Sequence, residues 1–225
     1  MKEDCSQDHV LFVCLCPQRT SERGCIWTRE HCSWTPEKWG HVLFTDESRF
    51  NIQNDSRRAI IWREPGTRYR VPNIVERDHY RGGGLLVWAG IATNGRTHLY
   101  VFAGGSVTAV RYCDEILHPL VRPFISAMGT DAIFMDDNFR PHIARLVRSY
   151  LESETIPQMA SPARSPDLNT IGHCGTCGRR ISGRRMPPGT LHELQHSLPQ
   201  IWALLPQQAI NDTIASVPGS CQACI

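Results

Sequence analysis

The chain lacks the strong positive charge by which many DNA-binding domains are recognised from composition. Its 24 lysine and arginine residues stand against 22 acidic residues, for a net charge of +2. Composition alone therefore gives no argument for a nucleic-acid partner. Any such partner has to be inferred from motifs.

Long apolar runs and a secretory leader are also absent. The apolar stretch Val10–Cys16 has neither a basic flank nor a small-residue cleavage site, and it is too short to cross a bilayer. Ten cysteines are present, but a chain of 225 residues can bury a sizeable core without a disulfide framework. We expect a globular protein in a reducing intracellular compartment, with no membrane partner.

The hydrophobic pattern of residues 39–225 alternates between strands and amphipathic helices. Apolar runs typical of strands occur at His41–Phe50, Ala59–Arg63, Leu85–Ile91, Thr97–Phe102, Ala132–Asp136 and Ile156–Met159. Asn94-Gly95 fits a tight hairpin turn. Apolar spacings of three and four predict helices within residues 110–124, 143–151 and 191–205, and a short helix is expected within residues 23–38. This order predicts an α/β fold with a mixed sheet flanked by helices.

Two of these apolar runs deliver an aspartate to a strand end. Asp46 follows His41–Thr45, and Asp137 follows Ala132–Asp136. Open α/β sheets usually place their chemistry at the carboxyl ends of strands. An isolated acid there is more often a turn or capping residue, so the surrounding sequence has to decide.

The surrounding sequence is specific. The relevant segments are Phe44–Phe50, Gly82–Trp88, Asp137–His142, Ser165–Asn169 and Pro187–Leu191. In order and spacing they resemble motifs of the catalytic domain of Tc/mariner transposases, and the resemblance covers residues 23–225. It implies a ribonuclease-H-like fold, a DNA partner, a nuclear location, and DNA transposition and integration by metal-dependent cleavage and strand transfer. It also implies a homodimer as a candidate assembly.

The family uses an Asp, Asp, Glu triad to hold two divalent metals. The resemblance therefore implies that Asp46 and Asp137 are catalytic and metal-binding, with Mg²⁺ or Mn²⁺ as the cofactor. Carboxylate oxygens are the ligands that magnesium prefers. Two metals can stabilise both the attacking and the leaving oxygen of a phosphoryl transfer.

The third carboxylate of the triad is missing. In the Tc branch, thirty-four residues separate the second Asp from the Glu; residues 138 to 171 make thirty-four, and the next residue is Gly172. Asp136 and Glu47 stand beside the two aspartates, but alternation along a strand should direct them to the opposite face. Asp167 and His173 belong to the family's usual sequence, so neither replaces the lost ligand. We expect the chain to be catalytically inactive.

Candidate DNA contacts come from basic side chains. Arg140 and His142 lie near Asp137 in the sequence, and a second basic group contains Arg179, Arg180, Arg184 and Arg185. A solvated helix end explains the second group about equally well. Two Cys-x-x-Cys pairs, at 174–177 and 221–224, are too far apart for the usual zinc spacing. Reduced thiols are the better interpretation.

The domain organisation follows from the resemblance. Residues 1–38 are interpreted as a leader and short helix, and residues 39–225 as the catalytic domain. The helix-turn-helix modules that precede this domain in full-length relatives are expected to be absent. Two alternatives to a degenerate enzyme stay open: a non-enzymatic DNA-binding or interaction module, and a non-functional transposon remnant.

Overall fold

The computed structural model describes residues 26–50, 84–137, 139–160, 169, 171 and 190–223. The leader, the strand expected at Ala59–Arg63, Gly172 and the arginines of residues 179–185 lie outside the described residues. Within the described ranges, no helix combines the length and the apolar character that a bilayer crossing requires.

The described strands form one mixed sheet. They are β1 Val42–Phe50, β2 Leu85–Ala92, β3 Gly95–Arg96, β4 Tyr100–Val101, β5 Ile133–Asp136 and β6 Gln158–Ala160. The sheet order is β3-β2-β1-β5-β6, and β4 also pairs with β2. β1 runs antiparallel to β2 and parallel to β5, and β6 is parallel to β5. The predicted mixed sheet is confirmed. The predicted hairpin is present, but its two turn residues are Thr93 and Asn94, and Gly95 already pairs with Ala92 in β3.

Helices cover both faces of this sheet. They are α1 (residues 26–31), α2 Pro36–Gly40, α3 Ala109–Tyr112, α4 Arg122–Met128, α5 Arg145–Ser153, α6 Leu191–Ala203, α7 Gln207–Ala215 and α8 Val217–Ala223. The π-helical segment Cys113–Val121 joins α3 to α4 and contains Pro119. Because proline has no N–H and crowds the preceding turn, a wider hydrogen-bond spacing accommodates it.

Alternation along β1 decides which helices pack on which face. Val42 and Phe44 enter a core shared with α2, α7 and α8, whereas Leu43 enters a core shared with α3, the π-helical segment and α5. Trp39 closes the first core and stacks on Phe44, with ring centroids 6.2 Å apart. The sheet therefore separates two apolar cores.

Three residues of the predicted helical stripes lie outside these cores. Val110, Ile143 and Leu146 are 56%, 45% and 48% exposed. Each lies in the first turn of its helix or just before it. The later stripe residues, Cys113, Ile116, Leu117, Val121, Val147 and Leu151, are buried as predicted.

Gly90 allows a close approach at the centre of the sheet. It pairs with Thr45, and a Cβ added there would come within 3.0 to 3.2 Å of side-chain atoms of Leu43, Thr97 and Thr45. We expect Gly90→Ala to lower the free energy of unfolding by about 1–3 kcal/mol, because the packed core has to shift.

The control for this substitution is Gly219→Ala in α8, where an added Cβ meets nothing within 4 Å. This change should raise the free energy of unfolding by up to about 1 kcal/mol, since alanine favours a helix more than glycine does. Denaturant unfolding of both variants checks the pair. Equal effects of the two substitutions would contradict the close approach at Gly90.

Candidate active site

Parallel pairing of β1 with β5 brings Asp46 and Asp137 together. Phe44 pairs with Met135, so both aspartates lie two residues beyond a paired position. The two carboxyl groups are close enough for the charge of Asp137 to raise the pKa of Asp46. Asp137 follows the end of β5 as expected, but Asp46 lies inside β1, which continues to Phe50 along β2. The expectation that Asp46 ends its strand is therefore wrong.

Two buried hydrogen bonds hold this part of β1. The Thr45 hydroxyl donates to the carbonyl of Met135 at 2.8 Å, which extends the contact between β1 and β5. The Asn169 side-chain amide donates to the carbonyl of Thr45, also at 2.8 Å. Ile171 is buried in the same core as Phe44. Residues 169 and 171 are thus anchored beside the strand that carries Asp46.

His142 lies among three carboxylates. Its Nδ1 is 2.8 Å from Asp136 Oδ1 and 2.6 Å from Asp137 Oδ1, and its Nε2 is 3.2 Å from Glu47 Oε1. The ring stacks on Tyr112 with centroids 4.0 Å apart, and the residue is only 1% exposed. His142 is therefore a buried counter-charge for Glu47, Asp136 and Asp137. These three carboxylates and the ring are called the cluster below.

The loop after β5 fixes both neighbouring aspartates. Asp136 Oδ1 accepts a hydrogen bond from the backbone N–H of Asp137 at 2.9 Å, and its Oδ2 accepts from the Tyr112 hydroxyl at 3.2 Å. Asp137 Oδ1 accepts from the backbone N–H of Phe139 at 2.9 Å. These bonds set the orientation of each carboxylate relative to His142.

Burial dominates the protonation of the carboxylates on β1. Burial, reinforced by the charge of Asp137, raises the pKa of Asp46 to about 6. Burial also raises the pKa of Glu47 to about 7, although the interaction with His142 opposes it. Both groups are therefore more reluctant to ionise than ordinary carboxyls.

Contacts among Asp136, Asp137 and His142 control the pKa values of these three groups. Burial raises the pKa of Asp136 against the opposing hydrogen bond with His142. Burial acts in the same direction on Asp137, but hydrogen bonds from His142 and from the Phe139 N–H hold its pKa below the usual value. Burial disfavours charge on His142, yet the surrounding carboxylates raise its pKa to about 12. The ring is therefore an imidazolium at neutral pH.

The donor set suits a divalent cation. One ligand atom from each of Glu47, Asp137 and His142 lies within 4.8 Å of the other two. Glu47 Oε1 and His142 Nε2 form an ion pair, but both atoms are buried and neither makes a hydrogen bond. Carboxylate oxygens suit Mg²⁺ or Mn²⁺, whereas His142 in its imidazolium form has no lone pair to offer a metal. The carboxylates present could thus hold such a cation, with His142 orienting them.

Sequence reasoning missed the contribution of Glu47 and Asp136. Both were set aside because strand neighbours point to opposite faces. The ring of His142 reaches Glu47 and Asp136 as well as Asp137, because it stacks on Tyr112, whose hydroxyl also bonds Asp136. The sequence feature that could have indicated this arrangement is His142, which follows Asp137 by five residues.

The predicted DNA contacts near this cluster differ in accessibility. Arg140 is exposed, which suits a phosphate contact. His142 is enclosed, and both of its ring nitrogens face carboxylates, so the geometry does not favour the contact expected for it. The second basic group and Gly172 lie outside the described residues. Their roles stay predictions.

Comparisons with known proteins agree with this architecture. No family model matches the chain. A Tcb1 transposase of Caenorhabditis briggsae is 28% identical over 202 residues, covering 88% of this chain and 72% of that protein. A Tc1 transposase of Caenorhabditis elegans is 27% identical over 201 residues, with the same two coverages.

Solved structures of the Mos1 transposase share the fold. Its catalytic domain with raltegravir and Mg superposes with a TM-score of 0.68 at 18% identity, covering 93% of this chain and 94% of that one. A Mos1 paired-end complex with the left transposon end gives a TM-score of 0.69 and covers all of this chain and 65% of that one. The mixed sheet flanked by helices is thus a ribonuclease-H-like fold.

Sheet topology and clustered acids define the general class, a ribonuclease-H-like domain with a carboxylate site. The sequence relatives narrow this class. They are transposases of Tc elements, and this chain is similar to them over most of its length.

Stabilisation by Mn²⁺ should increase with pH. The raised pKa values of Asp46 and Glu47, about 6 and about 7, mean that the folded protein holds protons that the unfolded chain has already released. Without a cation, stability therefore falls as pH rises from about 4 to about 7. A bound cation offsets the accumulated negative charge. We expect Mn²⁺ to raise the unfolding midpoint more at about pH 8 than at about pH 5.

Two variants test the origin of this effect by thermal unfolding. Asp137→Asn should remove most of the Mn²⁺-dependent increase, because it deletes a candidate ligand. Asp131→Asn, which changes an exposed carboxylate, should leave the increase intact. An increase of the same size at both pH values, or in both variants, would argue against a cation among these carboxylates.

Proposed function

We propose that this chain is a transposase catalytic domain that binds DNA and a single divalent cation but does not cleave DNA. The observation that supports this is the juxtaposition of Asp46 and Asp137 by β1 and β5, with Gly172 at the position of the family's third carboxylate. Asp46 and Asp137 remain as ligands for one cation, whereas the carboxylate that would bind a second cation is replaced by Gly172.

The family reaction explains why this loss matters. In cleavage, a water oxygen attacks phosphorus and the bond from phosphorus to the 3′ oxygen breaks, which leaves a 3′ hydroxyl and a 5′ phosphate. Bound Mg²⁺ or Mn²⁺ ions supply positive charge beside the attacking and leaving oxygens. Asp46 and Asp137 are the residues that would hold the first ion, and glycine has no atom to hold a second.

Glu47 is not a substitute for the lost glutamate. Its Oε1 lies against His142, its side chain is 11% exposed, and burial favours its protonated form near pH 7. It therefore adds to the charge around the first cation and does not create a separate second position. His142 holds Asp137 in orientation and balances charge.

DNA is the partner that the family and the exposed Arg140 support, and a nuclear location would follow from that partner. The solved complexes with transposon ends belong to Mos1. A homodimer is proposed here from the family resemblance alone. The exposed Arg140 also supports the non-enzymatic alternative, in which DNA binding is the remaining function.

A cleavage assay tests the proposed inactivity. The substrate is a duplex carrying the inverted repeats that flank the coding sequence, with Mg²⁺ or Mn²⁺. We expect no metal-dependent cleavage by the unaltered chain and detectable cleavage by Gly172→Glu, because this change restores the third carboxylate.

The double variant Asp46→Asn with Gly172→Glu is the matched control and should be inactive. A related transposase domain with a complete triad, assayed in parallel, shows that the substrate is competent. Cleavage by the unaltered chain that Asp46→Asn abolishes would overturn the proposal.

A further inference from the structure

The segment that begins after Asp137 carries only positive charge. Residues 138–151 contain three arginines and no aspartate or glutamate. Arg140, Arg145 and Arg148 are all exposed. Within the described part of the chain, the ion pairs involve other cationic side chains, namely Arg111, Arg122 and His142. These three arginines are therefore available for an anionic partner.

Phe139 is an exposed aromatic side chain at the edge of the carboxylate site. It is 46% exposed, although a phenylalanine is usually buried. Its backbone N–H donates to Asp137 Oδ1, and its ring meets His142 edge to face, with centroids 5.5 Å apart and planes inclined by 74°. The backbone and one edge of the ring are thus held, while much of the ring remains accessible.

We propose that Phe139 stacks on an unpaired base of the DNA strand that enters the carboxylate site, while Arg140, Arg145 and Arg148 contact phosphates of the same DNA. This inference rests on the proposed function and adds the residue that positions the strand. Base stacking on an aromatic ring tolerates any sequence, because every base has a π face. The combination of an exposed ring and arginines is the chemistry of single-strand binding.

Charge favours DNA over a second copy of this chain as the occupant. An isologous dimer through this segment would bring the same arginines of both copies together, and no acidic residue of the segment would offset them. A DNA strand, by contrast, supplies a phosphate for each arginine.

The test compares two duplexes with a short single-stranded overhang, one with normal bases and one abasic in the overhang. The unaltered chain should bind the normal overhang about 5- to 100-fold more tightly than the abasic one. Phe139→Ala and Phe139→Leu should lose this preference, since neither side chain stacks. Phe139→Trp should keep it and show indole quenching by the normal overhang only. Ile143→Ala is the matched control and should keep the preference.

Mn²⁺-dependent thermal stabilisation, measured for every variant, separates a lost stacking contact from a damaged site. DNA binding without any base preference in the unaltered chain would overturn the stacking role and leave the proposed function standing. Absence of DNA binding at low salt would overturn both. A change of self-association in Phe139→Ala, with its base preference intact, would assign the ring to a second copy and overturn the stacking role as well.

Discussion

The charge of the buried His142 imidazolium determines how the carboxylates of this domain can be arranged. A buried charge without a partner is costly, and removal of one partner from a buried ion pair typically destabilises a protein by about 3–5 kcal/mol. Here one ring serves Asp136, Asp137 and Glu47 together. The β1–β5 pairing and the turn after β5 are the two structural features that bring these groups to the ring. The cluster is therefore part of the stability of the fold as well as a site for chemistry.

This arrangement explains how a catalytic ligand can be lost while the fold persists. The carboxylates around His142 come from β1 and from the end of β5, and their contacts with the ring involve no residue after His142. Asn169 and Ile171 still pack beside the strand that carries Asp46, through a hydrogen bond from the Asn169 side chain to the Thr45 carbonyl and through apolar burial of Ile171. Under the proposed function, a glycine in place of the family's third carboxylate would lack a metal ligand and leave intact the contacts that hold Asp46 and Asp137.

Much of the architecture could be predicted because its determinants are local. The strand that carries Asp46 follows from an apolar run, and the apolar stripe of α6 follows from its spacing. The hairpin after β2 follows from its turn residues to within one position. The role of His142 could not be predicted in the same way, because it depends on the stacking of its ring on Tyr112, which is distant in the sequence. The exposure of Val110 and Leu146 was also missed, since periodicity does not show where the neighbouring elements stop.

The proposed function requires that the site keep ligands for one cation and lack those for a second. Calorimetric titration with Mn²⁺ counts the ions directly and does not depend on a DNA substrate. We expect one bound ion per chain for the unaltered protein and two for Gly172→Glu. Two ions bound to the unaltered chain, both removed by Asp46→Asn, would contradict the proposed function.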